Sequence, residues 1–313
     1  MQGDMSNKEE SDPGLQAVGA VSEGLVRLVV DARAELGEGA IWDSRINRLY
    51  WIDISGKRLF QFDPQQNKTR SWGVGQLIGT VVPRACGGLL LALQEGITAF
   101  DPLTGKMDLV ARPAEYDSAS FRLNDGKCDP AGRFWVGSYS ILPTKQPGIL
   151  YRMDPDRSIH PMVRGVGTSN GITWHRERKV MYFIDTSLLR VDAFDYDEAS
   201  GSITNRRTVL TFPGGAGRPD GMAMDAEGML WIAHWEGSRV TRWNPQTGEC
   251  IQTIWIPALR VTSCAFGGPD LDRLYVTTAR GKSPQEVLEQ PHAGGLFVAH
   301  PKVRGLPAVP FSG

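Results

Sequence analysis

The sequence is short of the features that mark several common protein classes. Its four cysteines, Cys86, Cys128, Cys250 and Cys264, are widely spaced and form no C-x-x-C pair. Thiolate metal sites are therefore disfavoured, and buried free thiols are expected. Formal net charge is −1, which leaves no basic footprint for nucleic acid or an anionic membrane. No apolar run approaches the roughly 18 residues of a membrane-spanning helix. The stretch MQGDMSNKEESDPG at the N-terminus is polar and acidic, with no basic region followed by an apolar one. It predicts a flexible tail over residues 1–22, no secretory leader and a cytoplasmic location. No G-x-S-x-G elbow is present, so Ser-His-Asp hydrolysis of that type has no support.

Helical periodicity is also nearly missing. In its place, short apolar runs alternate with turns in a chain of 313 residues that holds 36 glycines and 20 prolines. GAIWDSRINRLYWIDISGKRLFQFDP reads as three strands, one ending at Trp42 and two spanning 48–54 and 58–62. Strands this short and this frequent predict an all-β sandwich, barrel or propeller.

Internal repetition separates these possibilities. Blocks of one form begin with a small or polar residue, pass through a short apolar run to a turn, and enter a second apolar strand. They start at Glu38, Thr80, Asn124, Asn170, Asp220 and Ser263, with successive spacings of 42, 44, 46, 50 and 43 residues. A period of about 45 residues matches one four-stranded propeller blade. Later strands in several blocks end in D-P or N-P turns, at Phe62–Pro64, Phe100–Pro102, Met153–Pro155 and Trp243–Pro245. The prediction is a six-bladed β-propeller with four-stranded blades over residues 23–313, as a single domain.

In a propeller the first strand of each blade lines a central channel, so the repeat register brings the six leading residues together. All six are polar, and a buried polar ring is costly unless something satisfies it. The set offers carboxylates, carboxamides and hydroxyls with no His or Cys, which suits a hard divalent cation such as Ca²⁺, Mg²⁺ or Mn²⁺ and tolerates Zn²⁺ or Fe²⁺. Glu38 and Asp220 would supply the charge, Asn170 a neutral oxygen, and Asn124 would ligate or hold substrate. Taken one at a time, Asn170–Gly171 and Asp220–Gly221 read as plain turns; their coincidence in one register favours ligands. His234 follows the channel strand of the fifth block and could face the site, although a lone His reads first as a satisfied core or surface residue; His175 reads as a solvated turn residue. Trp42, Trp51, Trp135 and Trp231 fall in strands, where core packing is the default. Lys127 and Arg133 read equally as functional or turn-stabilising.

LGEGAIWD (36–43), FRLNDGKCDPAGRFWVGSY (121–139), SNGITWH (169–175), RPDGMAMDAEGMLWIA (218–233) and TSCAFGGPDLDRLYVTTAR (262–280), in that order, closely resemble the senescence marker protein/gluconolactonase (regucalcin-like) family. The resemblance spans roughly residues 30–300, and the N-D-G-K-x-D-P-x-G-R segment is its most specific piece. It implies a six-bladed propeller with one divalent metal ion held by Glu38, Asn170 and Asp220. It further implies a sugar lactone as small-molecule substrate, contacted by Arg122 and Asn124, and hydrolysis to the sugar acid. Asp220 is the candidate to accept the proton of the attacking water. Some members carry an acid shortly after the second strand of the third blade; here GSYSILPTKQPG has none, and Leu142 stands near that position. The alternatives are an organophosphate or other ester hydrolase on the same metal, and a non-catalytic propeller that binds partners through its loops.

Overall fold

The computed structural model describes residues 26–313, and the tail expected over 1–22 lies outside the described residues. Six four-stranded antiparallel sheets are present, each built from strands consecutive in the chain except the last. Their innermost strands are Gly37–Asp43, Ile78–Pro83, Phe121–Cys128, Ser169–His175, Arg218–Met224 and Arg260–Gly267. Each innermost strand touches the next around a ring, which closes where Arg260–Gly267 meets Gly37–Asp43. The sixth blade takes its fourth strand, Val26–Val30, from the start of the chain, paired antiparallel with Leu296–Ala299. The two ends of the propeller are thereby held by one hydrogen-bonded ladder.

A radial gradient of burial explains the repeat. In the first blade Gly37–Asp43 is buried at every position, while the outermost strand Lys68–Gly73, KTRSWG, is mostly exposed. A strand covered on both faces must be apolar or small along its length, and an edge strand is blunted by charge. The D-P and N-P turns fall between third and fourth strands: Asp63 accepts from the Gln65 and Gln66 amides, and Asn244 from the Gln246 amide.

Between blades the core is aromatic. Trp42, Trp51, Trp135 and Trp231 are all fully buried, as the strand pattern predicts. Burying each such side chain contributes on the order of 2–3 kcal/mol. Two of them answer to buried aspartates in D-x-x-G turns: Trp135 Nε1 donates to Asp129 at 3.0 Å and Trp231 Nε1 to Asp225 at 2.9 Å. Arg133 and Arg242 close the same two clusters, on Asp129 and Asp225. Arg133 also donates to the carbonyls of Glu198 and Ala199 in the next blade, which makes it an inter-blade clamp. The cysteines depart from expectation: Cys128 and Cys264 are buried free thiols, but Cys86 is exposed and Cys250 only partly covered.

After the last blade the chain crosses one end of the channel. Gly305 N–H donates to the Leu271 carbonyl at 2.8 Å, and Phe311 pairs with Pro83 and Ala85 on the second blade. Phe311 itself is 1% exposed, and it anchors this strap in the core. Among the described residues no helix is long and apolar enough to cross a membrane.

Candidate active site

Every inner strand carries an irregularity in its pairing with the second strand, and in all six it falls at or directly beside the leading position of the repeat. Register is lost between Leu123 and Gly126, between Ser169 and Ile172, and between Pro219 and Met222. Asn124, Asn170 and Asp220 are therefore each the first unpaired residue of a bulge, and Glu38 is the last paired residue before one. A bulge bends the strand and re-aims a side chain that an ordinary pleat would send into the blade. The glycines that follow have a different task from the turn their dipeptides suggest. Both Gly171 and Gly221 lie inside strands; a Cβ at Gly171 would stand 2.5 Å from Met222 Cβ, and one at Gly221 2.7 Å from Ser263 Cα. They are small because neighbouring inner strands approach closely near the axis.

The polar groups at this end are linked. Asn124 Nδ2 donates to Asn170 Oδ1 at 2.8 Å and to the Ser169 carbonyl at 2.5 Å. Arg122 Nη1 donates to Asn124 Oδ1, and to the Leu123 carbonyl at 3.2 Å. Asn170 Nδ2 donates to Thr186 Oγ1 at 2.7 Å, and that hydroxyl donates to the Pro219 carbonyl at 2.6 Å. Glu38 Oε2 accepts, among the described residues, only the amide of its own neighbour, Gly39, at 3.1 Å. Among the described residues no donor reaches the Asp220 carboxylate, although Asp220 is 5% exposed. Thr80 differs from its ring neighbours, because its hydroxyl is taken by the Gly126 carbonyl at 3.2 Å.

Electrostatics makes this end tense. Burial, and then the charge of Asp125, pushes the Glu38 carboxyl up to about 8, against the pull of the Gly39 amide and the Arg122 guanidinium. Burial followed by the charges of Glu38 and Asp125 holds Asp220 well above the ordinary carboxylate range, with Arg122 opposing. Asp125 is also raised by burial, while Lys127 and the Gly126 amide pull it down. Three carboxyl groups thus crowd one channel end, where Arg122 is held and its own pKa is lowered by burial.

Among the described residues no three His, Cys, Asp or Glu side chains converge at metal-ligand spacing. The candidate set has an amide as its third member, so oxygen is its only donor element. Buried, under-satisfied carboxylates beside a carboxamide oxygen fit a hard divalent cation, which would supply the missing opposite charge.

Two residues at this end escape the sequence reading. Asp125 follows Asn124 in the same bulge and acts on both Glu38 and Asp220. Thr186 lies in a 3₁₀ turn after the second strand of the fourth blade, outside the repeat register. His234 is not at the site: it is 1% exposed, its ring stacks edge-on with Phe212, and Nε2 meets Thr241 Oγ1 at 2.6 Å. His175 is half-buried at the end of its strand rather than solvated, at the opposite end of the channel. Lys127 reaches from the third blade to the Met222 carbonyl on the fifth.

The family model described as SMP-30/Gluconolactonase/LRE-like region matches residues 36–280. The chain is 40% identical over 287 residues to the "Putative sugar lactone lactonase YvrE" of Bacillus subtilis (strain 168), covering 91% of this chain and 98% of that protein. It is 38% identical over 292 residues to the regucalcin of Danio rerio, covering 92% and 98%. The crystal structure of a calcium-binding protein, regucalcin, from Agrobacterium tumefaciens str. C58 superposes with a TM-score of 0.86 at 25% identity, covering 91% of this chain and 96% of that one. The chain belongs to the SMP-30/gluconolactonase/LRE-like family.

Proposed function

We propose that this protein hydrolyses a sugar lactone of the aldonolactone class to the corresponding sugar acid, with one divalent metal ion held by Glu38, Asn170 and Asp220. The observation that carries this reading is the ring itself. Two buried carboxylates with almost no internal donors stand beside a hydrogen-bonded carboxamide pair at the bulged ends of the inner strands. Family membership supports the substrate class. When bound, the ion supplies a Lewis acid for the ester carbonyl and a source of acidified water.

The chain's own groups do the rest. Water adds to the lactone carbonyl carbon, the ring C–O bond breaks, and the proton lost by the water ends on the departing alkoxide. Asp220, whose carboxylate no donor among the described residues reaches, takes that proton from the water and passes it to the alkoxide. Arg122 and Asn124 hold the sugar hydroxyls, with Asn124 fixed from both sides by Arg122 and by the Ser169 carbonyl. Such positioning brings the ester toward attack geometry. The test is hydrolysis of an aldonolactone panel by metal-stripped protein re-loaded in turn with Ca²⁺, Mg²⁺, Mn²⁺, Zn²⁺ or Fe²⁺. Activity lost on stripping and recovered with an ion supports the assignment. Metal-independent activity overturns the ion, and turnover of an organophosphate but of no lactone overturns the substrate.

A further inference from the structure

On blade three, beside Arg122, stand two side chains, Tyr139 and Lys145, that lactone hydrolysis by itself leaves without a task. Arg122 and Tyr139 are direct cross-strand partners, and the guanidinium carbon lies 4.8 Å from the Tyr139 ring centre. The Lys145 ammonium lies 4.6 Å from the same ring and donates to the Ser140 carbonyl at 2.8 Å. One half-buried tyrosine therefore carries two cations. Arg122 is the inner one, tied to Asn124. Lys145 is the outer one, exposed on the segment 141–147 between the second and third strands.

That segment, ILPTKQP, contains one cation and no acid. Acids on the neighbouring loops are already engaged: Glu95 with Arg112, Glu115 with Arg164, and Asp117 with Ser120. Among the described residues no carboxylate lies within ion-pair distance of Lys145 or of Arg218. Arg218 is exposed two residues before Asp220, as Arg122 stands two residues before Asn124. A cation on a tyrosine face gains little at an exposed site, and two cations beside one ring repel each other. Arg122 has the charges of Glu38 and Asp220 beside it, so it is Lys145, the outer cation of the array, that is left without an anion among the described residues.

We propose that the substrate is an anionic sugar lactone, whose second acidic group, a carboxylate or a phosphate ester, is held at Lys145 beside Arg122. This rests on the lactonase reading above and narrows its substrate class. The carbonyl end of the ligand goes to the carboxylate ring, and the anionic substituent lies outward along Tyr139. Lys145 is a specificity residue in this arrangement and takes no part in bond breaking.

The experiment compares kcat/KM for three lactones on the metal-loaded enzyme: neutral glucono-δ-lactone, a glucarolactone and 6-phosphogluconolactone. The two anionic compounds separate the carboxylate source from the phosphate source. At least one of them is expected to exceed the neutral lactone by roughly tenfold, the effect of one charge-assisted hydrogen bond. Lys145→Gln should reduce the anionic-to-neutral ratio by about the same factor, mainly through KM, with Lys145→Arg keeping most of it. Added salt should erode the preference in the wild type and not in Lys145→Gln. A ratio near one in the wild type, or a ratio unmoved by Lys145→Gln, overturns the anionic substrate while leaving the lactonase intact. Failure to turn over any lactone, charged or neutral, overturns both.

Discussion

The two ends of the central channel are made by the same six strands, yet they have opposite chemistry. One end gathers Glu38, Asn124, Asp125, Asn170 and Asp220, with pairing broken at or directly after each leading position. The other end is a chamber of about 350 Å³ lined by Trp42, Trp174, Met224 and Phe266 and bordered by Leu306–Val309 of the C-terminal strap. Only a few residues along each strand separate the two. What differs is the backbone: where the ladder is regular, side chains pack into the inter-blade core, and where it is bulged they are released toward the axis. One end holds polar groups at a cost in stability, and the other holds the ring together.

The largest expected effect lies at the polar end. Asp220→Asn should lower kcat/KM for a lactone by roughly a thousandfold, about 4 kcal/mol of transition-state stabilisation. The same change should raise the melting temperature of metal-free protein, because it removes a buried carboxylate that no donor among the described residues reaches. Loss of both activity and stability would mean that Asp220 is structural, and the contrast between the two ends would fail.

At the apolar end the order of effects reverses. Phe311→Ala opens the core where the strap is pinned, and should cost about 3–5 kcal/mol in denaturant unfolding. At a temperature where the variant remains folded, kcat/KM should stay within roughly twofold of wild type, since well-separated sites behave independently. A large fall in kcat/KM of the folded variant would show that the strap shapes the reacting end.

A subtler contrast is in pH. A carboxyl whose pKa is higher in the fold than in the unfolded chain binds its proton more tightly when folded. Stability is then full below the unfolded value and falls as pH climbs to the folded one. For Glu38 that window runs from 4.5 to about 8. Metal-free protein should therefore lose melting temperature across this range, and Glu38→Gln should flatten the slope. A saturating divalent ion should flatten it too, because it favours the ionised carboxylate. Equal slopes for wild type, Glu38→Gln and ion-loaded protein would remove Glu38 as the source of the strain.

Much of this polar end is legible in the sequence because a propeller turns sequence periodicity into angular position. A spacing of 42–50 residues is enough to place Glu38, Asn124, Asn170 and Asp220 in one ring without any knowledge of their contacts. Asp125 escapes because the register selects one residue per blade, whereas a bulge frees two. The far chamber is illegible for another reason: the strap that borders it follows the last repeat and carries no periodic signal. Closure of the sixth blade by Val26–Val30 is similarly silent, since pairing between distant chain segments leaves no local pattern. His234 agrees with the plainer of its two readings, a satisfied core histidine: a residue near the right strand in sequence points into the core between blades.

Thr186 gives the smallest expected effect and the sharpest test of how the ring is aimed. Its hydroxyl accepts from Asn170 Nδ2 and donates to the Pro219 carbonyl, so it ties the fourth-blade amide to the strand that carries Asp220. This fixes which face of the Asn170 amide, oxygen or nitrogen, turns toward the site. Thr186→Val keeps the shape and removes both bonds, leaving the amide held from one side only. Loss of a residue that orients a ligand typically weakens metal affinity by about 10–100-fold. The lower end is expected here, because Asn124 still donates to Asn170 Oδ1 and holds the amide from the other side. Calorimetric titration of stripped protein with each divalent ion measures this directly. Thr186→Ser, which restores the hydroxyl, should recover the affinity; an unchanged affinity in Thr186→Val would show that Asn124 alone sets the orientation of Asn170.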